Sequence, residues 1–141
     1  MIWFEKNISL ADFAKRSHGT MVDHLGIKYL ELGPDYFVGS MPVDHRTKQP
    51  LGLLHGGASV VLAETLASMA GNFVVNPKTH YCVGLEINAN HLKSATGGEV
   101  VGTARPLHIG RRTQVWEIRI EQDGKAICIS RMTLAVVERT S

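Results

Sequence analysis

One stretch, "PLGLLHGGASVVLAETLASMA" over residues 50–70, limits what this chain can fold into more than any other. From Leu51 to Ala70 every residue is apolar, glycine, serine or threonine except His55 and Glu64. The run predicts one long helix from about Gly56 to Val74, closed by Asn76-Pro77. Val60, Val61, Leu62, Leu66, Met69 and Ala70 put apolar groups almost all round it, so it should be wrapped and further buried by a partner. Gly56, Gly57, Ala58, Ala63, Ala67 and Gly71 keep it thin, so strands or a second helix can approach.

The rest of the chain supplies strands. Upstream, Ser9 caps a short helix through Ser17, and a second short helical piece falls at Met21–Leu25. "IKYLELG" and "YFVGSMPV" read as a hairpin around Gly33-Pro34-Asp35, followed by a polar, glycine-rich loop over 44–57. After Pro77, residues 80–93, 99–109, 113–122 and 126–138 read as strands, with turns at Gly97-Gly98 and Asp123-Gly124. Trp116, Ile118 and Ile120 alternate with Glu117, Arg119 and Glu121, so one face of that strand meets solvent. One long helix enclosed by a curved antiparallel sheet of five or six strands is an α+β architecture, the hotdog arrangement. With no linker or repeat, residues 1–141 form a single domain.

Composition excludes several classes. The chain is 44% hydrophobic and 20% charged, ordinary for a folded globular domain. A net charge of +2 gathers no basic block beyond the pairs Lys15-Arg16 and Arg111-Arg112, so no nucleic-acid footprint is expected. The start "MIWFEKNISL" carries no signal-peptide pattern, and no apolar run is read as long enough to cross a membrane. Cys82 and Cys128 lack zinc or C-x-x-C spacing and read as buried free thiols of a cytoplasmic protein.

Two features could carry chemistry. His55-Gly56-Gly57 falls where the helix begins, where N–H groups lack partners and the helix dipole is positive. The glycines let a carbonyl approach the backbone there and develop oxyanion character. Glu64 lies about two turns further on, sharing a face with Val60, Val61, Ala67 and Ser68. Desolvation would make it a stronger base, although a carboxylate held by a backbone donor or an arginine would be merely structural. Oxyanion donors at a helix start followed by a carboxylate suit acyl transfer to water. There is no G-x-S-x-G elbow, Walker loop or metal-ligand spacing among the seven histidines, so no metal or other cofactor is expected.

Three segments carry a resemblance: "MPVDHRTKQPLGLLHGGASVVLAETLAS" (41–68), "VGLEINANHLKSA" (83–95) and "PLHIGRRTQVWEI" (106–118). They resemble the hotdog-fold acyl-CoA thioesterases, most of all the 1,4-dihydroxy-2-naphthoyl-CoA hydrolases and the enterobactin-pathway proofreading thioesterases. The resemblance implies that Glu64 is the catalytic carboxylate, acting as nucleophile or as general base on water. It implies that the Gly56 N–H polarises the thioester carbonyl, that His55 and Gln49 orient it, and that Ser68 helps place the attacking water. Met69 would line the acyl pocket. Gly84, His91, Leu92, Lys93, Ser94, and His108, Ile109, Gly110, Arg111, Arg112 and Thr113 would meet the CoA portion. It further implies a homodimer with its site across the interface, and a dimer of dimers.

Read without the resemblance, Lys93, Arg111 and Arg112 are cations near turns and His91 an inward residue in phase with Leu85, Ile87 and Ala89. Two rivals remain on the same fold. A hydratase would need a D-x-x-x-x-H signature, but Asp44 is followed five residues on by Gln49. A non-catalytic acyl-CoA-binding module would be expected to lack the carboxylate, and Glu64 is present.

Overall fold

In the computed structural model, which describes residues 1–140, the helix occupies the expected span. Elements follow the chain as α1 (Leu10–Ser17), α2 (Met21–His24), β1 (Lys28–Leu32), β2 (Phe37–Pro42), α3 (Gly56–Val74), β3 (His80–His91), β4 (Glu99–Ile109), β5 (Thr113–Gln122) and β6 (Lys125–Glu138). The six strands form one sheet in the order β1-β2-β4-β5-β6-β3, every neighbouring pair antiparallel. α3 therefore connects strands near opposite ends of the sheet and packs across β2, β4, β5, β6 and β3.

Local chemistry explains the boundaries. At α1 the Asp12 carboxylate accepts from the Ser9 N–H at 2.9 Å and the Ser9 hydroxyl at 2.8 Å, closing a capping box. Asp123 and Gly124 both take positive φ in the β5–β6 turn, as a two-residue hairpin requires. The inward residues Gln114, Trp116, Ile118 and Ile120 of β5 are fully buried. At one end of the sheet Phe13 stacks on Phe73 with ring centroids 4.0 Å apart and tilts against Phe37 at 4.3 Å, which docks α1 over the end of α3.

One close approach fixes the helix. Gly39 of β2 and Gly102 of β4 face each other across the ladder. A Cβ on either would lie 2.8 Å from a δ-methyl of Leu66, so the two glycines form a notch that receives this side chain.

The sheet of this chain covers one side of α3: Ala58, Leu62, Ala63, Leu66, Ala67, Ala70 and Phe73 are buried against it, while Val60, Val61, Glu64, Thr65, Ser68, Met69 and Asn72 form a stripe that is not. One expectation needs correction: α3 is, by length and composition, a 19-residue helix able to span a bilayer, with mean hydropathy 1.2. Its buried face packs on its own sheet, which is why a core helix has this composition.

Candidate active site

The loop before α3 is built to hold a turn against the start of the helix. Arg46 forks onto Asp44, with Nη2 2.7 Å from Oδ2, and the Asp44 Oδ1 accepts from the Arg46 N–H. These bonds hold the Asp44 carboxyl down to about 2. The Arg46 guanidinium covers Gly26, whose φ of 72° admits the turn into β1. From this anchor the chain runs back on itself: the His55 N–H donates to the Thr47 carbonyl at 2.8 Å and the Gln49 N–H to the Leu53 carbonyl at 2.8 Å. The Gln49 side-chain oxygen accepts from the Leu51 N–H, closing the tip of the loop.

At the helix start, His55 is the N-cap residue, and its Nδ1 accepts from the Gly57 N–H at 2.8 Å. That bond puts the ring proton on Nε2 when the imidazole is neutral. The Ala58 and Ser59 N–H groups both reach the His55 carbonyl. No acceptor among the described residues takes the Gly56 N–H, so it is the free donor of this helix end. The His91 ring closes over it: a Cβ on Gly56 would lie 2.9 Å from the His91 Nε2. Gln49, Gly56, His91, Leu92, Lys93 and Ser94 together line an open cleft of about 290 Å³. The sequence placed three of these residue groups far apart; the fold makes them one wall.

Glu64 is elsewhere. Eight residues along α3, at 1.5 Å rise per residue, place it about 12 Å from Gly56. It is exposed, so its own chain does not dry it as the apolar sequence around it suggested. Its carboxylate rests on β3, where a Cβ on Gly84 would lie 3.0 Å from Oε1 and 2.9 Å from the Met132 Cε. The Ser68 hydroxyl, one turn on, points to the Met132 sulfur at 3.8 Å, and Met69 is half-buried on the same open stripe. Gly84, expected to meet the cofactor-like part of a substrate, is within this chain the seat of the carboxylate.

The bulge in β3 lies here too. Gly84 pairs with Leu134 and Glu86 with Thr133, so Leu85 is an extra residue. The phase argument for His91 needs correcting twice: Leu85 is out of phase and 61% exposed, and His91, although it pairs with the inward Cys128 as Ile87 and Ala89 pair with Met132 and Ser130, is itself exposed.

The third predicted group is remote from both. His108, Ile109, Gly110, Arg111, Arg112 and Thr113 span the β4–β5 hairpin, where the His108 ring closes over Gly110 and the Gly110 N–H donates to the Thr113 carbonyl at 2.9 Å. Arg111 lies beside Val74, Asn76 and His80, at the C-terminal end of α3 and about 27 Å of helix from Gly56. Sequence reasoning missed Asn72, whose amide bonds both the N–H and the carbonyl of Cys82. Its signal was available: Glu64, Ser68 and Asn72 are polar at successive fourth positions of an otherwise apolar helix.

Comparison with known proteins points one way. The chain matches the profile of the Thioesterase superfamily over residues 51–129. It is 49% identical over 138 residues to the 1,4-dihydroxy-2-naphthoyl-CoA hydrolase of Escherichia coli K12, covering 97% of this chain and 100% of that protein. It is 48% identical over 138 residues to the proofreading thioesterase EntH of Cronobacter turicensis, covering 97% and 99%. Its fold superposes on the crystal structure of a mutant thioesterase PA1618 from Pseudomonas aeruginosa with a TM-score of 0.96 and 46% identity, over 99% and 100% of the two chains.

Proposed function

The chain belongs to the thioesterase superfamily, with the hotdog fold and the thioester hydrolase activity that go with it, and on that premise we propose that it hydrolyses an aromatic acyl-CoA as a homodimer in the cytoplasm. The first substrate is 1,4-dihydroxy-2-naphthoyl-CoA, with hydroxybenzoyl-type thioesters next. The thioester carbonyl oxygen accepts from the Gly56 N–H, at the positive end of α3, while His55 and Gln49 orient the group. Glu64 of the partner subunit either attacks the carbonyl carbon or takes a proton from water that does so, with Ser68 placing the water. The C–S bond breaks and CoA thiolate leaves.

One observation supports the two-chain site: residues Gly56 and Glu64 stand about 12 Å apart along one helix, and the Glu64 carboxylate lies against Gly84 while the Gly56 position lies against His91. Reacting groups must approach to about 3–3.5 Å, so one chain cannot offer both to one carbonyl. The free edge of β3 supplies the joining surface, with Val83 42% and Leu85 61% exposed. Antiparallel pairing of two such edges would bring the His80 end of one strand beside the His91 end of the other. It would carry Arg111 and Arg112 of one subunit toward Lys93 of its partner, where CoA phosphates could be paired. A further pairing of two dimers completes the proposed tetramer.

The test combines substrate and assembly. Free-thiol release is measured over a panel of aromatic and aliphatic acyl-CoAs, and the aryl thioesters should turn over fastest. Gly56→Ala and Glu64→Gln are then prepared separately, unfolded together and refolded as a mixture. Each alone should be nearly inactive, and the mixture should recover up to about a quarter of the parent activity, because hybrid dimers hold one intact composite site. Absence of recovery despite hybrid formation would rule out a site shared between subunits.

A further inference from the structure

Asn72 is the only α3 side chain that hydrogen-bonds the backbone of β3 among the described residues. Its Oδ1 accepts from the Cys82 N–H at 2.8 Å, and its Nδ2 donates to the Cys82 carbonyl at 3.1 Å. The same Nδ2 donates to the Ser68 carbonyl at 2.9 Å, one turn back on its own helix. A flipped amide would set donor against donor at Cys82, so the orientation is unique. The amide thus pairs with Cys82 as a neighbouring strand would, on the side of β3 that has no strand.

The rest of Cys82 is tied to the same end of α3. Its thiol, pushed up to about 11 by burial and so kept protonated, donates to the Gly71 carbonyl at 3.4 Å. The buried Gln114 amide donates to that carbonyl at 3.3 Å and accepts from the Trp116 indole N–H at 2.9 Å. Backbone N–H, carbonyl and thiol of one residue are all held by the last turns of the helix.

Gly84 follows two residues later, about 7 Å along the strand. There the fit is tight enough that a Cβ would meet the Glu64 Oε1 at 3.0 Å. Beyond Gly84 the bulge leaves Leu85 out of the ladder to β6. Among the described residues, the hydrogen bonds that join α3 side chains to the β3 backbone are those at Cys82, two residues from Gly84.

We propose that Asn72 is a positioning residue for Glu64: by clamping Cys82 it fixes the gap between α3 and β3 in which the Glu64 carboxylate lies, and hence the direction that carboxylate faces. The inference rests on the reading above, in which Glu64 is the reacting group. It concerns the chemical step and not substrate affinity, because both amide donors and the amide oxygen of Asn72 are spent on the backbone of Ser68 and Cys82.

Asn72→Leu removes all three bonds at similar volume. Asn72→Ala is a milder change, leaving room for water to bridge. Steady-state kinetics should show kcat reduced about tenfold for the leucine variant and less for the alanine variant, with KM within about twofold of the parent. The decisive arm repeats the substitution in the Glu64→Gln background. A residue that acts through the carboxylate has little left to act on, so the residual rate should change by less than about twofold. Equal losses in both backgrounds, or an unchanged kcat with only a lower melting temperature, would overturn the proposal. If Glu64→Gln alone retains normal turnover, the assignment of Glu64 fails instead, and the two failures are told apart by that single variant.

Discussion

The two faces of α3 follow opposite rules. The face on the sheet is filled by Leu62, Ala63, Leu66, Ala67 and Ala70, each fully buried, and strand glycines let it come close. The open stripe carries Val60, Val61, Glu64, Thr65, Ser68, Met69 and Asn72, polar and apolar side chains mixed, none of them buried. One face contributes stability through close packing; the other is left uncovered by the rest of this chain, and it is the face to which the proposed chemistry and second subunit are assigned. A helix of low amphipathicity thus has two faces after all, distinguished by what each touches and not by hydrophobicity.

The largest expected effect is on the packed face. Leu66→Ala empties the notch between Gly39 and Gly102 and should cost about 2–5 kcal/mol in chemical denaturation. kcat per folded molecule should stay near the parent value, because the helix carries Gly56 and Glu64 together whether or not the notch is filled. A loss of kcat well below the melting temperature would show that the two faces are not separable.

Glu64→Gln tests the open face in the opposite sense. It keeps the shape of the side chain and removes its charge and basicity, so kcat should fall at least about a hundredfold, while the melting temperature stays close to that of the parent. Near-normal turnover would remove Glu64 from the mechanism.

A smaller change is expected beyond the end of the helix. Arg111→Ala should raise KM by up to about tenfold and leave kcat nearly unchanged, with a larger penalty for acyl-CoA than for an acyl-pantetheine lacking the nucleotide. Equal penalties for the two substrates would mean that Arg111 supports the fold and that the phosphates are met elsewhere.

The smallest effect belongs to neither face. Asp44 is held well below its usual range, chiefly by the Arg46 side chain, so its contribution is present above the ordinary carboxylate value and is lost as pH falls toward about 2. Asp44→Asn should therefore be slightly less stable than the parent at neutral pH, and the two melting curves should converge below that point. Since Asp44 anchors the loop that carries Gln49, the same variant should loosen the open face without touching it; a difference in stability that persists unchanged at pH 2 would break this link.

Much of this was legible in the sequence. Asn76-Pro77 and the His55-Gly56 start bounded α3 because proline and glycine act locally, and β5 read correctly because one of its faces is wet. The phase of β3 was not legible, since a single bulged residue at Leu85 reverses the alternation and leaves no mark in composition. Spacing also placed Gly56 and Glu64 two turns apart correctly, but two turns is the very distance that keeps them from one carbonyl. A contact between two subunits, as proposed for these residues, would leave no local signature. Asn72 was missed for another reason: its strand-like bonding to Cys82 is a tertiary contact ten residues on, which the residue's place in the helix does not disclose.

The glycine notch has a mechanical consequence. A helix in a smooth apolar cradle is free to slide along its axis and turn about it, a screw motion that costs little because one methyl replaces another. Leu66, with one δ-methyl against each of two directly paired glycines, acts as an indexing pin against that motion. It sits two residues from Glu64 and ten from Gly56, on the same rod. Any slip of the rod would carry Gly56 and Glu64 together, so the offset of about 12 Å between them along α3 is set by the helix pitch. A β-branched residue of equal volume at position 66 would carry its branch at Cβ, short of the notch, and the rod would lose its index while keeping its hydrophobicity.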